Sequence, residues 1–138
     1  QRLMHGLTDR DGILIYPEGT RFTPEKRKRA LARMAQRGES GIYKKACALN
    51  YVLPPRLGGP LSILELNEHA DAVFCVHTGL EVANTARDLL SGNLVGRTIR
   101  AHCWRVPFAD IPCDRETQTD WLYDHWTKVD EWVGNQTL

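Results

Sequence analysis

The sequence predicts an α/β chain, a mixed β-sheet with helices packed on it. Three observations carry this. Gly12–Ile15, Tyr51–Leu53 and Ala72–Val76 are short apolar runs bounded by turn-forming residues, the pattern of buried strands. Residues 97–106 alternate, with Thr98, Arg100, His102 and Trp104 against Ile99, Ala101 and Cys103, the pattern of a half-exposed strand at a sheet edge. Residues 24–37 and 114–133 repeat apolar side chains at helical spacing. With 138 residues, 42% apolar and 25% charged, the chain fits one domain with a core of its own.

Taken in order, residues 1–10 offer only a helix end at Gly6. The first strand follows Asp11 and stops at Pro17, which has no N–H for a ladder. Thr23-Pro24-Glu25 starts a helix, with Thr23 as N-cap, Pro24 in the first position and Glu25 in the first turn. That helix runs to Arg37 and ends at Gly38. Ala30, Leu31, Met34 and Ala35 make one face, and Arg29, Arg33 and Arg37 another. Like charges four apart cost a few tenths of a kcal/mol per pair, roughly. A bound anion would offset this; a solvated face is the other reading. Glu39–Gly41 is a loop and Ile42–Leu49 a short helical piece. The second strand closes at Pro54-Pro55, and a helix follows over Pro60–Ala70. The third strand, Ala72–Val76, leads into an unclear stretch at 78–84 and a short helix at 86–90. Pro107–Pro112 is a turn. Asp114 caps the last helix, which turns Trp121, Leu122, His125, Trp126, Val129, Trp132 and Val133 inward.

Charge is divided. Residues 1–60 hold 12 Lys/Arg against 5 Asp/Glu, and residues 61–138 hold 6 against 12. A basic half suits an anionic partner such as a phospholipid or coenzyme A; mutual neutralisation in the fold is the plainer reading. Nucleic acid is not expected, since the basic helix lacks interleaved aromatics. Cys47, Cys75, Cys103 and Cys113 have no metal-binding spacing, and no metal site is expected. Cys75 and Cys103 sit in apolar strand patterns and are expected as buried, reduced thiols. No run reaches the roughly 18–20 apolar residues of a membrane span.

Chemistry gathers at Tyr16-Pro17-Glu18-Gly19-Thr20-Arg21-Phe22-Thr23, between a strand end and a helix start. Gly19 permits a sharp turn or close approach of a ligand. Arg21 presents a fork suited to a phosphate. Arg56 stands just past the second apolar run, before Gly58-Gly59. If both runs are parallel strands, Arg21 and Arg56 open on one sheet edge and converge on one anion. A surface charge is the alternative for Arg56.

The Pro17–Arg21 pentapeptide resembles the Glu-Gly-Thr-Arg motif of the 1-acylglycerol-3-phosphate acyltransferase superfamily of glycerolipid acyltransferases. Phe22–Arg27 and Leu53–Gly59 are similar to the branch containing lysocardiolipin acyltransferase and related bacterial membrane acyltransferases. The similarity continues, more loosely, to about Trp132. The resemblance implies a partial acyltransferase domain, with residues 1–138 its C-terminal portion. It implies transfer of a fatty acyl group from acyl-CoA or an acyl carrier protein to a lysophospholipid, with no cofactor, at the cytoplasmic face of a membrane. Glu18, Gly19, Thr20, Arg21 and Arg56 would bind the substrate, Arg21 and Arg56 at its phosphate.

The family places a catalytic His-x4-Asp upstream of this motif. His5 is followed five places on by Arg10, so no such dyad precedes Tyr16 in this chain. It is expected upstream, together with any membrane anchor, and the chain alone is expected to be inactive. His125 and Asp130 match the spacing but lie downstream, and five residues on a helix turn their side chains apart. A packed histidine is the reading taken there. A phosphate- or lipid-binding module without catalysis is the alternative function, and a basic nucleic-acid-binding domain a weaker third.

Overall fold

The computed structural model describes residues 11–38, 40–80 and 95–137. The expected helix end at Gly6, the loop residue Glu39 and the expected helix at 86–90 lie outside the described residues, as does most of the 78–84 stretch. Four α-helices and one antiparallel strand pair are described, an α/β fold: α1 (Pro24–Gln36), α2 (Ser40–Ala48), α3 (Gly58–Glu65), β1 (Ala72–Thr78), β2 (Arg100–Val106), a 3-10 turn (Phe108–Asp110) and α4 (Arg115–Thr137).

Local chemistry accounts for the helix ends. Thr23 is extended, and its hydroxyl accepts from the Lys26 N–H at 3.2 Å, satisfying a donor that the first helical turn leaves over. Past the other end of α1, Gly38 takes φ 72°. Asp114 caps α4 by accepting from the Thr117 N–H at 2.9 Å. The α2 C-terminus is closed by a distant side chain: Arg27 donates to the carbonyls of Leu49 and Cys47 at 2.5 and 2.8 Å.

The strands pair with Phe74 opposite Trp104 and Cys75 opposite Cys103. One sheet face lies on α4. Phe74 stacks on Trp104 and on His125, with ring centroids 5.2 and 4.3 Å apart, and the Trp104 indole N–H donates to His125 Nδ1 at 3.0 Å. The core joins Ala46 and Leu49 to Val52, Val76, Tyr123, Trp126 and Val129. It thus draws α2, the loop after it, β1 and α4 together.

Three expectations are corrected. Gly12–Ile15 is not a strand, and Leu14 is 77% exposed. Apolar residues make a strand only where a ladder partner lies alongside; among the described residues this segment joins no sheet, and the bond from the Arg56 N–H to the Pro17 carbonyl at 2.8 Å lies beyond both apolar runs. Tyr51–Leu53 is not a strand either, because carboxylates take the backbone donors a ladder would use. The Asn50, Tyr51 and Val52 N–H groups donate to Asp130 at 2.6–3.1 Å, and the Leu53 N–H donates to Glu18 at 3.0 Å. Cys75 and Cys103 are free and exposed, not buried, since they occupy the sheet face turned away from α4.

Candidate functional site

The site is built where two loops meet. Residues Pro17–Thr20 turn sharply, with the Gly19 N–H donating to the Tyr16 carbonyl at 2.9 Å. Gly19 has φ 67°, and a Cβ there would lie 2.9 Å from the guanidinium carbon of Arg56. Glycine therefore serves twice here: it takes a left-handed turn and lets Arg56 lie against its backbone. Glu18 on one side and the Pro17 carbonyl on the other bind the turn to Leu53 and Arg56. Two segments 35 residues apart at the Glu18–Leu53 bond are thereby fixed together.

Glu18 is half-buried. Burial pushes its carboxyl above the usual range; the Leu53 N–H pulls it down, and the negative Asp130 nearby adds to the rise. Thr20 accepts from the Lys26 ammonium at 2.9 Å, and the same ammonium donates to the Arg21 carbonyl at 3.2 Å. One lysine on the first turn of α1 therefore clips the end of the motif to the helix.

Beside the Arg56 loop lies a groove of about 510 Å³. Arg33 of α1, Arg37 just past its end and Arg56 line it, as do the apolar Ala30, Met34, Pro54, Pro55 and Leu57. The arginines are exposed and both prolines are buried. An apolar floor edged by cations suits an amphiphile with an anionic head.

Among the expected site residues, Gly19 lies directly against Arg56, and Glu18 is tied to the same loop through the Leu53 N–H. Thr20 is joined to them through the turn. Arg21 is exposed on the same loop, its carbonyl held by Lys26. Lys26 carries no expectation from the sequence, and Asp130 enters there only as half of the rejected His-x4-Asp match. Lys26 stands six residues beyond Thr20, a spacing that bridges a turn to the helix it precedes. No such local signal marks Asp130, which reaches back 78–80 residues to its donors. His125 and Asp130 serve different neighbours, the sheet rings and the 50–52 loop. Among the described residues no three His, Cys, Asp or Glu side chains gather as a metal site, and no helix is long and apolar enough to cross a membrane.

No protein-family profile and no solved structure matches the chain. Curated relatives do. The 1-acyl-sn-glycerol-3-phosphate acyltransferase delta of Mus musculus is 28% identical over 121 residues, covering 86% of this chain and 30% of the relative. The protein of the same name from Rattus norvegicus matches to the same extent. The chain thus spans about a third of the length of these relatives. The likeness covers most of this chain and supports the acyltransferase family.

Proposed function

We propose that this chain forms the acceptor-binding part of an enzyme that moves a fatty acyl group from a thioester to a lysophospholipid such as 1-acylglycerol-3-phosphate. The donor in this reading is acyl-CoA or an acyl carrier protein, and the parent protein works at the cytoplasmic face of a membrane. Arg21 and Arg56 hold the acceptor phosphate. Glu18 holds the turn, and Gly19 and Thr20 give close backbone approach and a hydroxyl. In the reaction a histidine takes the acceptor hydroxyl's proton, an aspartate orients that histidine, and the alkoxide attacks the thioester carbonyl.

The observation that carries this reading is the Arg56 guanidinium lying against Gly19. It brings the second expected phosphate ligand onto the motif that carries the first. The likeness to the mouse and rat acyltransferases adds weight. A second reading, a lipid-binding module without catalysis, draws on the apolar groove edged by Arg33, Arg37 and Arg56.

Calorimetric titration of the chain with 1-acylglycerol-3-phosphate, and with the uncharged monoacylglycerol of equal chain length, tests both. The phosphorylated lipid should bind more tightly. Arg56→Ala should weaken it roughly tenfold to a hundredfold, the worth of a charge-assisted contact. Arg56→Lys should keep the charge but lose the fork, with an intermediate effect. Equal binding of the two lipids would exclude a phosphate site. In the complete protein, an Arg56→Ala effect on acceptor KM supports the transferase, whereas binding without thioester-dependent turnover supports the module.

A further inference from the structure

The face of the strand pair turned away from α4 carries a second chemistry. Side chains alternate along a strand, so Val73, Cys75 and His77 share this face with Ala101, Cys103 and Arg105. Cys75 and Cys103 are direct cross-strand partners, both exposed, with their sulfurs 3.0 Å apart. Residues directly opposite in an antiparallel pair have Cα atoms about 4.5–5.5 Å apart, within the roughly 4.4–6.8 Å that a disulfide spans. The backbone already holds the sulfurs where a bond between them needs only a small side-chain rotation. Among the described residues, neither Cys47 nor Cys113 has a sulfur neighbour of this kind.

We infer that Cys75 and Cys103 form a dithiol pair that small-molecule disulfides oxidise reversibly to a cross-strand disulfide. In the first step the thiolate of one cysteine attacks a sulfur of oxidised glutathione, giving a mixed disulfide and releasing one glutathione thiolate. In the second, the other cysteine's thiolate attacks the protein sulfur of that mixed disulfide and expels the second glutathione. The protein loses two electrons and two protons; the glutathione disulfide gains them and leaves as two thiols. Exposure lets the oxidant in, and the paired sulfur makes the second step intramolecular and fast. The hydrogen bond between the two thiols is the main cause that raises Cys75 above the ordinary thiol range. His77 and Arg105 flank the pair on the same face, and Arg105 is tied to Asp71.

The test equilibrates the full 138-residue chain in glutathione buffers of rising oxidised fraction, followed by alkylation and peptide mass mapping without reduction. The expected result is a single linked peptide pair, Cys75 to Cys103, that dithiothreitol reverses, with Cys47 and Cys113 still alkylated. Cys75→Ser should abolish the linkage and leave Cys103 as a persistent glutathione adduct; Cys103→Ser should do the same for Cys75. Both positions are exposed, so these variants should fold, and a circular dichroism spectrum checks that they do. Adducts persisting on both cysteines of the unmutated chain would overturn the inference. So would equal linkage through Cys47 or Cys113, or no oxidation in fully oxidised buffer.

Discussion

Glu18 is held in a conflict that the sequence alone cannot show. Its carboxylate accepts from the Leu53 N–H, yet burial and the nearby Asp130 charge favour its neutral form. The folded-state pKa therefore lies above the ordinary 4.5. With that sign, its contribution to stability is complete below the unfolded value and is lost as pH rises through the folded one. At neutral pH the ionised side chain weakens the fold relative to a neutral acceptor of the same shape. Glu18→Gln should accordingly melt at the same temperature as the natural chain or higher at pH 7. Glu18→Ala should lose about 1–3 kcal/mol by stranding a half-buried donor. Thermal melts of the two variants side by side decide this; a Glu18→Gln variant as unstable as Glu18→Ala would show that the charge itself holds the loop. Under the proposed function, in which Glu18 holds the turn through the Leu53 N–H, Glu18→Gln should leave phosphate binding in place while Glu18→Ala weakens it.

Among the elements, those whose causes are local were legible. The start of α1 at Pro24 and the cap at Asp114 follow from neighbours within a few residues, and the strands expected at 72–76 and 97–106 are found at 72–78 and 100–106. What failed has distant causes. Tyr51-Val52-Leu53 has a strand's composition, but its donors are claimed by two acids 35 and 78–79 residues away. The thiols of Cys75 and Cys103 look buried by composition, yet only one face of a two-stranded sheet can lie on α4. The two loops that carry Glu18, Gly19 and Arg56 do meet, but not for the reason the sequence suggests. Arg56 reaches Gly19 through two loops laced by carboxylates, without a shared sheet edge. This lacing makes Asp130 the structural centre of the 50–52 loop. Removing it as Asp130→Ala leaves three backbone donors without their acceptor, and the loss should be roughly 2–4 kcal/mol. Asp130→Asn retains part of the bonding and should lose less. Urea unfolding checks the order, and a loss under about 1 kcal/mol for Asp130→Ala would mean that water replaces the carboxylate freely.

At the scale of the molecule, the divided charge is partly neutralised and partly left for use. Lys45 of the basic half reaches Asp120 and Asp124 of α4 at 3.0 Å, whereas Arg33, Arg37 and Arg56 line the groove. The sheet is joined to α4 through a histidine. His125 accepts the Trp104 indole N–H through Nδ1, so it must be neutral there. Burial depresses its pKa below the ordinary 6.5; Lys128 pushes the same way and Asp124 opposes. For a depressed group, stability is present above the unfolded pKa and is lost as pH falls through the folded one. The unfolded chain takes up this proton first, and protonation in the fold would place a hydrogen where the indole donates. The melting temperature of the natural chain should therefore fall between about pH 8 and about pH 5 by more than that of His125→Gln, which stays neutral throughout. Glu18 acts with the opposite sign, rising in its contribution as pH falls, but it is common to both chains and cancels in the comparison, as do the other histidines. Parallel pH profiles of the two chains would show that His125 is already free to take a proton in the fold, and that the stacked rings of Phe74 and Trp104, not the Nδ1 bond, hold the sheet to the helix.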